Sequence, residues 1–294
     1  MRSNALLEYF DNPDTRRTVT GATWGAEIET HFVDSVGRPI SISTTRRLLA
    51  TTPPGPWRTT IDLGNQLIEF VVGPQSSPAA LLSSTHDGLR WLYRQAARLG
   101  ASPVFAPTLP RTHAQNLLWI QDDRDQVWCK LDGQAALEHL CRVASVQITM
   151  SVHPSELVQT INALWRGKLH AHDYAKNDAS WRRYISESTA GYRSDRYAGP
   201  SRFEDLSDYT RYLELQMVVM LRSQPCALDI RGITDLNCSD LDLFVRSIWP
   251  HYRARVFDGP GGTRVSAVEM RPFARRDDSS ITTMLGLIVK ALAV

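Results

Sequence analysis

The chain has 294 residues, 43% of them hydrophobic, enough apolar material for one large domain or two small ones with a real core. Its 33 basic side chains stand against 31 acidic ones for a net charge of +2, so nothing global points to a nucleic-acid or membrane partner. Four cysteines (Cys129, Cys141, Cys226, Cys238) with no CxxC pair suggest neither a zinc site nor a disulfide framework, and the expected setting is soluble, reduced and cytoplasmic, because no stretch reads as a signal peptide or a bilayer span.

A short helix and a polar lead-in are expected over residues 3–19. Residues 24–34 follow, where Gly25-Ala26-Glu27-Ile28-Glu29-Thr30-His31-Phe32-Val33 alternates polar and apolar residues at the period of a half-buried strand. Asp34 to Pro39 reads as a turn, Ser43 to Ala50 as a short helix, and the proline-rich segment at 53–56 as irregular. Trp57 to Pro74 reads as two strands joined at Leu63-Gly64-Asn65, and Ser77-Pro78 opens an amphipathic helix that Gly100 ends. Beyond a short strand at 103–107, the spacing predicts a helix near 132–143, a strand over 144–152 and a helix over 154–165. Residues 166–202 show weak periodicity and many charges and tyrosines, the mark of a working loop. Helices are expected near 204–222 and, capped by Ser239, over 240–248; a last strand at 264–273 precedes a helix from Ile281 to Val294. There is no regular βαβ rhythm and no phosphate-cradling glycine loop, so the expected fold is α+β: a mostly antiparallel, curved sheet with helices packed on its outer face.

Four strand regions put polar side chains where apolar ones would be the easy choice. The first carries Glu27 and Glu29, two apart and therefore on one face; the hairpin brings Asp62 and Glu69; the third brings Gln147 with Ser145 and Thr149; the last brings Glu269 and Arg271. Buried together without counter-charge, the carboxylates would cost several kcal/mol each or protonate, and two or three divalent ions such as Mg2+ resolve this. Because Mg2+ usually holds phosphate oxygens as well, the pattern reads as a nucleotide-phosphate site built on a sheet face, with Arg271 as a phosphate clamp. Taken singly, each residue has a plainer reading: Glu69 and Glu269 as solvent-facing, Arg271 as a cross-strand partner of Glu269, Gln147 as a satisfied core amide. It is their joint occurrence that favours a site.

These segments resemble a known family. Gly25-Ala26-Glu27-Ile28-Glu29, the Asp62 to Glu69 spacing, and Ala144-Ser145-Val146-Gln147-Ile148-Thr149 are similar to the metal-binding strands of glutamate–cysteine ligases, and Val268-Glu269-Met270-Arg271 is similar to that family's Leu-Glu-Met-Arg strand, most like the plant and proteobacterial branch. Ser239-Asp240-Leu241-Asp242 to Trp249-Pro250 resembles the helix before that strand, and Gly191-Tyr192-Arg193-Ser194-Asp195-Arg196 the substrate loop. The resemblance implies one carboxylate–amine ligase domain over residues 1–294, in which ATP phosphorylates the side-chain carboxylate of glutamate and an amine, or a peptide, attacks the acyl phosphate. Glu27, Glu29, Asp62, Glu69, Gln147 and Glu269 would hold two or three Mg2+ ions and Arg271 would stabilise the transferring phosphoryl group.

Arg196 is the candidate grip on the substrate's α-carboxylate, with Tyr192 and Arg193 lining the same pocket; an exposed loop arginine is the plain alternative. Lys168, with His170, His172 and Lys176, is a candidate nucleotide contact or simply a solvated basic loop. The runner-up among enzymes is a biosynthetic-cluster ligase joining an amino acid to a non-cysteine amine or peptide. A second class is a non-catalytic homologue that binds nucleotide or a peptide as a scaffold, and a third is a metal-dependent phosphohydrolase, because His31 shares the face of Glu29 and could activate water. The chain departs from the family in ending about twenty residues after Arg271 and in a short segment from Leu221 to Asp235, which leaves the acyl-phosphate half of the chemistry better supported than the choice of amine.

Overall fold

A computed structural model describes residues 4–11, 21–62, 64–109, 117–118, 130–133, 138–172, 179–188, 196–221, 224–229, 235–258 and 263–293. The chain opens with helix α1 (Asn4–Phe10) and strand β1 (Trp24–Val33). Helix α2 (Ile42–Leu49) follows, its free N-terminal amides met by Ser41, whose side chain accepts from Thr44 N at 3.1 Å. Strands β2 (Trp57–Ile61) and β3 (Leu67–Gln75) form the expected hairpin, and α3 (Pro78–Arg98) starts on Ser77, which accepts from Ala80 N at 3.1 Å. Gly100 ends α3 with φ +72, a left-handed turn that favours glycine. Then come β4 (Ser102–Val104), β5 (Ser145–Ser151), α4 (Leu157–Arg166), α5 (Ala179–Glu187), β6 (Tyr197–Ala198), α6 (Leu206–Glu214), β7 (Met217–Leu221), β8 (Gln224–Asp229), α7 (Cys238–Arg246), β9 (Trp249–Pro250), β10 (Tyr252–Asp258), β11 (Arg264–Ala274) and α8 (Ser279–Leu292).

Five elements differ from the sequence expectation. The helix expected over 204–222 ends at Glu214, and the β-branched run beginning at Met217 pairs with β8 as a hairpin. Asn237, not Ser239, caps α7: its side chain accepts from Asp240 N at 2.9 Å while Asp240 accepts from Asn237 N at 3.4 Å, a reciprocal capping box. Part of the expected working loop is helix α5, which buries Trp181, Tyr184 and Ile185, at helical spacing, in a small second core with Leu140, Cys141 and Val143. Strand β10 was not anticipated at all. The helix expected near 132–143 is seen at 130–132 and 138–140.

The main sheet runs β10-β11-β5-β1-β3-β2 with every neighbouring pair antiparallel; β4 pairs with β1 at His31 to Val33, beyond the stretch that β5 covers. One face is apolar. Ile28, Phe70, Val146, Ile148, Val268, Met270 and Ala254 are buried there in a single core with side chains of α3, α4 and α8. Alternation then sends the intervening residues of each strand to the other face. The main core also takes in Tyr9, Phe10 and Tyr209, and the edge strand β10 is blunted where Ala254 N donates to the Tyr209 hydroxyl at 3.0 Å.

Candidate active site

Three cross-strand rows define the polar face. Thr60 of β2 lies opposite Glu69 of β3, which lies opposite Glu29 of β1. Val71 lies opposite Glu27, which lies opposite Gln147 of β5. Gly25 lies opposite Thr149, then Glu269 of β11, then Arg253 of β10. Residues far apart in sequence therefore meet through backbone register alone. Asp62 follows β2 at the hairpin turn, where its N–H donates to Leu67 O at 3.3 Å. The turn is pinned by Asn65, which donates to Ile40 O and accepts from Leu118 N at 2.8 Å, and Gly64 takes φ +83 where a Cβ would come within 2.9 Å of Cys141 Sγ.

Side-chain hydrogen bonds join the rows into a chain. Glu29 accepts from Ser145 N at 2.6 Å and from Gln147 Nε2 at 2.7 Å. The other end of the Gln147 amide accepts from Arg271 Nη1, and the same nitrogen donates to Glu269 Oε2 at 2.9 Å. Arg271 reaches that position from a bulge: the β5–β11 register shifts between Met270 and Phe273. Pro272, which has no N–H to give to a ladder, sits inside the bulge, one of the few places a central strand accepts proline. Glu269 is fully buried and holds two more guanidinium groups, Arg253 Nη2 at 2.5 Å and Arg255 Nη1 at 3.4 Å. Arg253 is fixed in turn by Arg246 O and Ile248 O at 2.8 and 3.1 Å, and Arg255 by Asp242 of α7 at 3.4 Å.

The two ends of this chain differ in charge. Burial alone would raise the pKa of Glu269, but Arg253, Arg271 and Arg255 together hold it well below the usual carboxylate range. Arg253 in turn falls to about 9, through burial and the neighbouring Arg271. At the other end, burial and the nearby Asp62 push Glu29 up to about 8. Burial, and then Glu269, push Glu27 in the same direction, and no described residue donates a hydrogen bond to the Glu27 carboxylate. An all-oxygen donor set with excess negative charge suits a hard divalent cation. Among the described residues no three acid, His or Cys side chains close into a ready-made cage, so a Mg2+ ion would complete its shell from water and phosphate oxygens, as it ordinarily does.

Glu27, Glu29, Asp62, Glu69, Gln147, Glu269 and Arg271, expected to form one site, do share one region. Among them, Glu269 is surrounded by arginines, and the Gln147 amide bridges Glu29 to Arg271. Other expectations are corrected outright. Arg196 is fully buried, donating to Met217 O at 2.9 Å and to Ser247 O and Oγ at 2.8 and 3.1 Å, so it ties β7 to the end of α7 and is not presented to a substrate carboxylate. Lys168 is exposed beyond α4, a helix packed on the apolar face. His31 is buried with Nε2 3.0 Å from Arg142 O, and burial lowers it to about 3. A carbonyl only accepts, so Nε2 carries the proton, and His31 is a neutral core residue, not a water-activating base. Tyr192, Arg193 and Lys176 lie outside the described residues. Sequence reading missed Arg253 and Arg255, although Tyr252-Arg253-Ala254-Arg255-Val256-Phe257 has the period-two alternation of a strand.

A mostly antiparallel sheet with helices on one face is a fold similar to that of a solved glutamate–cysteine ligase. The glutamate–cysteine ligase of Francisella tularensis, solved in complex with AMP, matches 93% of this chain and 67% of its own, with 11% identity and a TM-score of 0.50. A bifunctional glutathione synthetase from Pasteurella multocida matches 91% of this chain and 39% of its own at 11% identity and a TM-score of 0.40, and Plasmodium falciparum glutamine synthetase matches 99% of this chain and 55% of its own at 9% identity and a TM-score of 0.40. At these identities the likeness is one of fold. By sequence, no family model and no curated protein matches the chain.

Proposed function

We propose that the protein is an ATP-dependent carboxylate–amine ligase that activates glutamate, or a related amino acid, as an acyl phosphate and transfers the acyl group to an amine. The observation that carries this reading is the polar sheet face itself, where the strand registers set Glu27, Glu29 and Glu69 beside Gln147, Glu269 and Arg271 on a fold shared with a glutamate–cysteine ligase. Glu27, Glu29, Asp62 and Glu69 would hold Mg2+, which neutralises phosphate charge when bound. The substrate carboxylate attacks the γ-phosphorus of ATP and ADP leaves; the amine nitrogen then attacks the acyl carbon, phosphate leaves, and the nitrogen loses its proton. Arg271 presents positive charge to the transferring group, and Gln147 with Glu269 keeps its guanidinium from swinging away. No enzyme nucleophile is required.

The test mixes the protein with ATP, Mg2+, glutamate and a panel of amines and follows ADP release. Release that needs both acid and amine supports ligation, and a fall of about 10²-fold or more for Arg271→Ala supports its role. ATP loss without any acid would overturn the assignment.

A further inference from the structure

We infer that Glu269 is not a metal ligand in this protein but the pre-neutralised anchor that aims Arg271, with Arg253 and Arg255 of β10 occupying the place a cation would otherwise take. The argument starts from coordination. A carboxylate that binds a divalent ion must direct an oxygen lone pair at it. Oε2 of Glu269 already forms an ion pair with Arg253 Nη2 at 2.5 Å and accepts from Arg271 Nη1 at 2.9 Å, and Oε1 faces Arg255 at 3.4 Å. A cation brought here would meet three guanidinium groups on a carboxylate with no solvent exposure.

The arginines are not loose surface groups that could turn aside. Arg253 is fastened to two carbonyls at the end of α7, Arg246 O and Ile248 O, and Arg255 is braced by Asp242 of the same helix and lies over the Phe257 ring at 4.8 Å. So α7 holds β10's arginines, these hold Glu269, and Glu269 with Gln147 holds Arg271 from both sides. Glu269 is thus a positioning residue acting through Arg271. The inference deepens the ligase reading and rests on it for the choice of nucleotide.

The experiment counts Mn2+ ions, used as the Mg2+ surrogate, taken up with a non-hydrolysable ATP analogue, and measures the analogue's affinity separately. For Glu269→Gln the Mn2+ equivalents are expected to match wild type while the analogue's Kd rises about tenfold or more, as when one partner of a buried charged pair is removed. Glu27→Gln is expected to do the reverse and lose Mn2+. Loss of a Mn2+ equivalent in Glu269→Gln overturns the inference and leaves the ligase reading standing. If circular dichroism shows Glu269→Gln unfolded, Glu269→Asp, which keeps the charge one methylene short, decides on the same two readouts. Wild-type protein that takes up no Mn2+ with the analogue overturns both the inference and the ligase reading.

Discussion

Glu29 sits where burial, Asp62 and two hydrogen-bond donors compete over one proton. Its folded-state value of about 8 lies above the roughly 4.3 of an unfolded glutamate, so between those limits the native state holds a proton that the unfolded state has released. Stability attributable to this group is therefore present in acid and is lost as pH rises toward 8. Metal-free protein is expected to show a falling denaturation midpoint from about pH 5 to pH 8, and Glu29→Gln to flatten that slope. Glu269 has the opposite sign, since its depressed value makes its contribution present at neutral pH and lost only in strong acid. Arg196 gives a second residue-scale expectation. Arg196→Ala removes three hydrogen bonds from a buried guanidinium, each worth about 1.5–3 kcal/mol. Chemical denaturation should register the loss of stability, whereas a substrate-gripping arginine would show its loss in KM for glutamate with stability unchanged.

Helix α3 meets the apolar face of the sheet at Gly88, where a Cβ would fall 2.1 Å from Phe70 Cζ and 2.9 Å from the Trp57 ring. Gly88→Ala is expected to cost about 1–3 kcal/mol by overpacking. Gly286, in the interior of α8, is exposed with nothing within 4 Å of the site of its absent Cβ, so Gly286→Ala is expected to stabilise by about 0.5–1 kcal/mol. Thermal melts of the two variants should move in opposite directions. At this scale the sequence is a good guide where a local signal is strong. Ser77-Pro78 and Gly100 bound α3, and alternation in β1 places Glu27 and Glu29 on one face. It misleads where signals compete: residues 204–222 read as one helix, yet the β-rich run from Met217 prefers a hairpin partner that no local pattern reveals.

For the molecule as a whole, a ligand that binds only the folded state stabilises it by mass action, about 2.7 kcal/mol at a hundred times Kd. ATP with Mg2+ should therefore raise the melting temperature, and a chelator should reverse the gain; a melt indifferent to both would count against a nucleotide–metal site on this sheet. The chain spans about two thirds of the Francisella ligase.

The sequence by itself determined the alternation of the site strands and hence which side chains could share a face, because side-chain direction along a strand is a local property with period two. It also carried the identities of the acids, Gln147 and Arg271. Only the tertiary structure decided which strands lie side by side, that a bulge at Pro272 turns Arg271 toward Gln147, and that Arg253 and Arg255 close on Glu269. The physical reason is range: register between β1, β5 and β11 is fixed by backbone ladders linking residues more than a hundred positions apart, and neither spacing nor propensity encodes those distances.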